Sequence, residues 1–284
     1  MGKLKVTMND RNLEYVNCNL CKSDNTKLLF IKGGLNIVQC RKCGLVYVNP
    51  RHTVHALKEI YTEGYYTLQN KKGYEDYIRM EKQIKALFRR RLEKIEKYQK
   101  NGRLLDIGSA VGFFLEVAKE NGWDAFGVDI SEWASNYARE RGLNVFMGDL
   151  LEATFSDEYF DVITMWAVVS NLQDPYNILI EAHRILKKDG LIVIQTGNIN
   201  SILAKLQGVN WGPLTPEGHL YYFSPKTLRK MLELTGFKIV GKSTYGDIAQ
   251  NKRTINSIGY KYVNWVITKK LKLGDIMTIY ALKI

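Results

Sequence analysis

Residues Leu104 to Asp129 read LLDIGSAVGFFLEVAKENGWDAFGVD, and no other stretch constrains the fold of this chain as tightly. A short apolar strand runs into a turn bearing Gly108 and Gly112, an amphipathic helix follows, and a second apolar strand, Ala125–Val128, ends on Asp129. Glycines in a tight strand-to-helix turn let a ligand approach the backbone, and the turn delivers the unpaired N–H groups of a helix N-terminus to that ligand. Phe114, Leu115, Val117 and Ala118 make the buried face of the helix and leave Glu116, Lys119 and Glu120 for solvent. An acid about twenty residues beyond the first glycine stands where a carboxylate accepts both hydroxyls of a ribose. The pattern predicts half of a nucleotide-binding α/β unit built on parallel strands.

The G-x-G-x-x-G fingerprint of dinucleotide binding would fall on Gly108, Ala110 and Phe113, so two of its three glycines are missing. What remains, DIGSAVGFFL from Asp106 to Leu115, resembles motif I of the seven-stranded S-adenosylmethionine-dependent methyltransferases. Ala110 stands where that family most often carries its middle glycine. The resemblance continues in order: Gly148-Asp149-Leu150 after a strand at Asn144–Met147, a strand at Phe160–Trp166, Leu172-Gln173-Asp174-Pro175 opening a helix, and Ile185–Ile194 as helix end, glycine turn and fifth strand. It implies an α/β fold, a Rossmann-like doubly wound seven-stranded sheet, with S-adenosylmethionine as cofactor. It further implies that Asp106, Gly108, Ser109 and Gly112 surround the methionine end, Asp129 and Ile130 the ribose, and Asp149 and Leu150 the adenine, with Trp166 as a wall. Taken singly, Asp106 and Asp161 read as strand ends, Asp149 as a helix N-cap and Trp166 as core. Their joint order is what favours the functional reading.

The chain has 284 residues, 45% of them hydrophobic, enough for one large core and a small accessory module. The sequence contains no apolar run long enough for a membrane span and no signal-peptide pattern, so a cytoplasmic protein is expected. The net charge of +12 is unevenly spread: residues 1–100 carry 21 basic and 10 acidic side chains, 101–195 carry 7 and 15, and 196–284 carry 13 and 4. An acidic segment suits a cationic sulfonium cofactor, and basic flanks suit an anionic substrate. The alternative is that these charges only keep the surface soluble.

All four cysteines fall in one pattern, Cys18-x2-Cys21 and Cys40-x2-Cys43. The spacing is that of a two-knuckle ribbon in which four thiolates close a structural zinc site. Two disulfides or four idle thiols are the competing readings. With its continuation CGLVYVNPR (Cys43–Arg51), the region resembles the N-terminal ribbon of a subset of methyltransferases acting on sugars and other small metabolites. A lone ribbon also suits a nucleic-acid binder.

The expected organisation is a flexible N-terminus over 1–16, a zinc ribbon over 17–50, a helical linker or cap over 51–100, and the methyltransferase domain over 101–284. Within the last, 197–224 reads as a substrate loop and 246–274 as an insertion, where Tyr260, Val263, Ile267 and Leu271 keep helical spacing. Tyr61, Tyr65 and Tyr66 resemble an aromatic element ahead of the core in the same subset, which makes Tyr65 and Tyr66 candidate substrate residues. Met80, Ile84, Leu87, Phe88, Arg91, Leu92 and Ile95 predict a covering helix, with Arg89-Arg90-Arg91 partly outward. Ser224-Pro225 opens a further helix, Lys226–Thr235, as N-cap and first residue.

A hydroxyl acceptor needs a general base. Of the four histidines, His219 ends the irregular loop, and His219-Leu220-Tyr221-Tyr222-Phe223-Ser224-Pro225 resembles a segment of the sugar and quinone methyltransferases in which the histidine faces substrate. The resemblance implies His219 as base, Glu217 as its orienting or substrate-binding acid, and Tyr222 beside the substrate. Where the family commonly shows Glu-His, this chain has Ser170-Asn171, which makes Asn171 a candidate substrate contact. The expected acceptor is a small, anionic metabolite, a nucleotide-linked sugar first, with a quinone or lipid-linked acceptor second and transfer RNA third. A non-catalytic binding module of the same fold is the reading from another class.

Overall fold

The structure, a computed structural model, describes residues 12–67, 77–246 and 265–284. It opens with β1 (Leu13–Glu14), β2 (Thr26–Lys32), β3 (Leu35–Cys40), β4 (Val46–Val48) and β5 (Arg51–His52), then α1 (Val54–Lys58), α2 (Glu63–Tyr66) and α3 (Glu81–Ile95). The alternating core follows: β6 (Arg103–Ile107), α4 (Phe113–Glu120), β7 (Asp124–Asp129), α5 (Glu132–Glu140), β8 (Asn144–Met147), β9 (Phe160–Trp166), α6 (Pro175–Ile185) and β10 (Leu186–Gly197). The chain ends with α7 (Ile202–Gln207), β11 (Tyr221–Tyr222), α8 (Pro225–Leu234), β12 (Phe237–Tyr245) and β13 (Ile276–Lys283).

The main sheet has seven strands in the order β12-β13-β10-β9-β6-β7-β8. Strands β6 to β10 pair in parallel, and β13 runs antiparallel to both β10 and β12. From Gly190 to Thr196 every residue of β10 is buried, as expected for a central strand covered on both faces. One face packs under α3 and α4 through Phe88, Leu92, Phe113, Phe114 and Val117, and the other under α6 and α8 through Ile178, Leu179, Ala182, Leu228 and Met231. Because β6 is followed by β7 and β8 on one side and by β9 and β10 on the other, the strand order reverses at β6/β9. In open α/β sheets a ligand crevice forms at such a point, outside the carboxyl ends of the strands.

The N-terminal strands do not stand apart. Cys18, Leu20, Leu45 and Tyr47 belong to the same buried cluster as the α6 and α8 face of the main sheet. β2, β3 and β4 form an antiparallel meander whose fourth strand is β11, from 170 residues or so further along the chain, giving the order β11-β4-β3-β2.

Several expectations differ from what forms. Residues 1–11 lie outside the described residues, but Leu13 and Glu14 pair with His52 and Arg51, so the end of the segment expected to be flexible is a strand. The stretch 197–224 is not one irregular loop: Ser201 caps α7, its Oγ accepting the Ala204 N–H at 3.0 Å, and β11 forms near the end. The strand beginning at Phe237 runs on to Tyr245 because β13 offers it a partner along that whole length. Of the insertion, 247–264, with Tyr260 and Val263, lies outside the described residues, and Val266–Lys270 makes a π-helical turn.

Asp161 joins three strands at the amino ends of the sheet. Its carboxylate accepts the Arg103 N–H at 2.7 Å and pairs with Lys187 Nζ at 2.7 Å. Asp161→Ala leaves that amide without a partner and is expected to lower stability by about 1–3 kcal/mol in urea unfolding, with cofactor affinity unchanged.

Candidate active site

The turn after β6 is held by a carboxylate. Asp129, at the tip of β7, accepts the Ala110 N–H at 2.7 Å through Oδ2 and the Ser131 N–H at 2.8 Å through Oδ1. Gly108 has a φ of 72°, Ala110 of 49° and Gly112 of 83°, so the turn passes three times through the left-handed region. A Cβ on Gly108 would lie 2.2 Å from Val168 Cγ2, so glycine is required there by space as well as by conformation. Ala110 pays the left-handed cost of roughly 1–2 kcal/mol that a glycine avoids, and its hydrogen bond to Asp129 opposes that cost. Gly112 is the N-cap of α4 and packs on Leu143.

Above this turn lies a cavity of about 370 Å3, inside the range usual for small-molecule sites. Asp106, Gly108, Ser109, Asp129, Ile130, Asp149, Leu150 and Trp166 all line it, whereas Gly112 does not. Five buried polar atoms of residues in its wall, Ser109 Oγ, Trp166 Nε1, Asn171 Oδ1, Gln173 Oε1 and Gln195 Oε1, have no partner among the described residues. Buried polar groups are rarely left so, and their presence fits a polar ligand. Asp149 also takes the ordinary role: it caps the turn Leu150–Glu152, accepting the Leu151 N–H at 3.0 Å while Glu152 accepts its own N–H at 2.8 Å.

Tyrosines form one side of the cavity and pack on aromatic rings behind them. Tyr66 stacks on Trp133 with centroids 5.6 Å apart, Tyr77 stacks on Phe113 at 5.3 Å, and Ser131 Oγ donates to the Tyr61 carbonyl at 2.6 Å. Helix α3 is clamped beside it by a network of four charges: Lys85 reaches Glu81 and Glu116, and Arg141 reaches the same two acids, at 2.5 to 2.8 Å. That clamp places Arg91 in the cavity wall, its guanidinium 4.6 Å from the Trp166 ring centroid and 3.3 Å from Tyr245 Oη. Sequence reasoning read the arginine run as partly outward. The signal for Arg91 was present, because it shares the apolar face with Phe88 and Ile95 while Arg89 and Arg90 are exposed.

Asp106 is 2% exposed and accepts the Thr164 hydroxyl at 2.6 Å. Burial pushes its pKa up to about 8, the Asp129 charge adds to the rise, and Thr164 and Arg91 oppose it. Burial likewise raises Asp129, against the two amides that donate to it.

A second cavity, of about 180 Å3, adjoins the first and shares Tyr65, Ala167, Asn171 and Gln195 with it. His219, Trp211, Tyr221 and Tyr222 line the far side. His219 Nδ1 lies 2.8 Å from the Pro213 carbonyl, which can only accept, so the proton sits on Nδ1 and the lone pair of the neutral ring on Nε2. Desolvation lowers the His219 pKa and the Pro213 contact only partly offsets it. Thr215 Oγ1 is the other neighbour of Nδ1, at 3.1 Å, so the ring is oriented by Pro213 and Thr215 rather than by Glu217. Glu217 turns towards Gly33 and acts electrostatically on His52 and Tyr222. Of the other candidates, Tyr65 and Asn171 face both cavities, Tyr66 only the larger and Tyr222 only the smaller. Asn171 Nδ2 donates to Tyr61 Oη at 2.7 Å, and the Ser170 carbonyl accepts the Leu220 and Tyr221 N–H groups, so both residues build the wall between the elements.

The four cysteine sulfurs lie within 4.8 Å of one another, with Cys18–Cys43 at 3.4 Å and Cys21–Cys40 at 3.5 Å. These separations are too long for disulfides and suit four thiolates around one metal ion.

A seven-stranded sheet of this order, parallel but for β13, with a glycine turn facing an acid at its switch point defines a nucleotide-binding α/β protein of the methyltransferase type. The profile of the methyltransferase-domain family matches residues 79–242, and the chain belongs to that family. It is an S-adenosylmethionine-dependent methyltransferase. Among curated relatives, an uncharacterised protein of Methanocaldococcus jannaschii is 27% identical over 164 residues, 58% of this chain and 78% of the other. A ubiquinone biosynthesis O-methyltransferase of Methylococcus capsulatus is 25% identical over 179 residues, 57% of this chain and 74% of the other. The crystal structure of an S-adenosylmethionine-dependent methyltransferase from Archaeoglobus fulgidus superimposes with a TM-score of 0.55 at 26% identity, covering 74% of this chain and all of that one. Among the described residues no helix is long and apolar enough to cross a membrane.

The Asp106 shift has a consequence for stability. The unfolded chain releases this proton near the ordinary aspartate pKa of about 4, whereas the folded state keeps it to about 8. Between those values the folded state binds more protons, so stability should fall as pH rises and level off above pH 8. Urea unfolding at pH 5 and pH 8 is expected to show that fall, with a smaller difference in Asp106→Asn; a residual slope from Asp129 should remain.

Proposed function

We propose that this chain methylates a hydroxyl group of a small acceptor held in the smaller cavity, with S-adenosylmethionine in the larger one and His219 as general base. The observation that carries the reading is the adjacency of the two cavities, with a neutral, oriented imidazole on the acceptor side. Asp106, Gly108, Ser109 and Arg91 are assigned to the methionine end of the cofactor, Arg91 to its carboxylate. Asp129 and Ile130 are assigned to the ribose, Asp149 and Leu150 to the adenine, with Trp166 as a wall. Bound there, the cofactor supplies an electrophilic methyl group on a sulfonium. The protein's part is to aim the acceptor oxygen at that methyl and to take its proton on His219 Nε2, since methyl transfer is an in-line displacement that depends on positioning. The buried Tyr222 hydroxyl and Asn171 Oδ1, which have no partner among the described residues, are the acceptor contacts. The cysteine cluster is assigned to structural zinc, since four thiolates leave no open coordination position.

The first candidate acceptor is a nucleotide-linked sugar, whose hydroxylated ring suits a wall of tyrosines, amides and hydroxyls. Among the described residues no lysine or arginine lines the smaller cavity, so its phosphates belong outside, against the basic flanks. A quinol is the second reading, favoured by the relatives named for ubiquinone biosynthesis, whose hydroxyl chemistry is the same.

His219→Ala is expected to lower turnover by about 10²–10⁴-fold while leaving S-adenosylhomocysteine affinity unchanged in calorimetry. Activity of the wild type should rise with pH through a value below the usual histidine pKa, because only the neutral ring can accept a proton. Undiminished turnover in the variant would remove His219 from the mechanism. Labelled-methyl transfer to a panel of nucleotide sugars and to a reduced quinone separates the two acceptor readings.

A further inference from the structure

We propose that the cysteine ribbon backs the wall of the acceptor site, and that the zinc assigned to it keeps Tyr221 and Tyr222 in place there while leaving the glycine turn and the acids of the cofactor site untouched. The proposal rests on the reading of the smaller cavity as the acceptor site.

Strand β11 is two residues long and has β4 as its strand neighbour, with Tyr221 opposite Tyr47 and Tyr222 opposite Val46. So short a strand has no stability of its own. The Leu220 carbonyl accepts the Val48 N–H at 2.9 Å, and on the other side the Leu220 and Tyr221 N–H groups donate to the Ser170 carbonyl at 2.7 and 3.0 Å. The segment that carries the acceptor-facing tyrosines is therefore slung between the ribbon and the turn after β9.

The position of β4 is set by the second cysteine knuckle. Gly44 N–H donates to the Cys40 carbonyl at 3.0 Å and Cys40 N–H to the Leu45 carbonyl at 2.9 Å, one residue before β4 begins. Two further ties join the ribbon and the strand that follows it to the core around this wall. Arg51, 8% exposed, donates from its guanidinium to Tyr221 Oη and to the Gln173 carbonyl, both at 2.7 Å, and pairs with Glu14 at 2.9 Å. Asn19, inside the first knuckle, donates to Asp174 Oδ1 at 2.8 Å and accepts the Tyr176 N–H at 3.0 Å, which docks that knuckle on the start of α6. The second knuckle thus bears on the acceptor wall through β4, and the first fixes the ribbon on the start of α6. The glycine turn and the acids of the cofactor cavity, by contrast, belong to β6, β7, β8 and the turns that follow them, and none of these strands pairs with the ribbon.

The test uses the full chain with and without metal. Zinc is stripped with a chelator, confirmed by metal analysis, and hydrogen exchange is followed by mass spectrometry alongside calorimetry with S-adenosylhomocysteine. Metal removal is expected to speed exchange at Val48, Leu220 and Tyr221 by about tenfold or more, leave β6 and β7 unchanged, and keep cofactor-product affinity within about twofold, with zinc restoring the slow exchange. Unchanged exchange at Leu220 and Tyr221, or equal acceleration in β6, would overturn the proposal. Arg51→Lys in the zinc-loaded protein supplies a second reading: it keeps the charge but not the fork, so Tyr221 should exchange faster with zinc content unaltered, and wild-type exchange there would count against the tie. Because no acceptor enters these measurements, they fail or succeed independently of the His219→Ala result.

Discussion

The cofactor side of this protein depends on one buried carboxylate. Asp129 takes two backbone amides, from Ala110 and Ser131, and so locks the turn after β6 against the tip of β7. An acid at 7% exposure is costly to ionise, and the two donated hydrogen bonds are what stabilise its charged form. Once the turn is locked, Gly108 presents backbone rather than side chain to the cavity, Ser109 Oγ and Asp106 converge on it, and Ser131 is placed to hold the tyrosine side of the cavity through the Tyr61 carbonyl.

This part was legible in the sequence because its logic is local. The β6-turn-α4-β7 unit spans fewer than thirty residues of periodic pattern, and the acid that closes it lies at the end of the same unit. Ala110 stands where the related pattern most often has glycine, and it adopts the backbone conformation that glycine would favour, with its amide held by Asp129. The N-cap at Ser224 and proline at the first position of α8 were readable for the same reason.

The smaller cavity was less legible because it is assembled from distant pieces. The pairing of β11 with β4 has no local signature, since two residues carry no periodicity, and Arg51 reads as one more surface cation until Glu14, Gln173 and Tyr221 are brought around it. In the sequence Ser170 and Asn171 stand only as neutral residues where the related pattern commonly has Glu-His. In the fold Ser170 supplies the carbonyl that receives the returning loop, and Asn171 bridges to Tyr61. The orientation of His219 by the Pro213 carbonyl rather than by Glu217 was equally hidden, because a backbone acceptor leaves no mark on residue type.

The pairing of β4 with β11 also imposes an order in time. The ribbon leaves the ribosome some 170 residues before Tyr221, so β4 spends most of synthesis with an open edge. Exposed strand edges invite pairing with other chains. With zinc in the cysteine cluster, as proposed, the ribbon could fold around that metal and wait in that state. Metal supply during translation would then bear on how much of this protein escapes aggregation, quite apart from what the finished enzyme does.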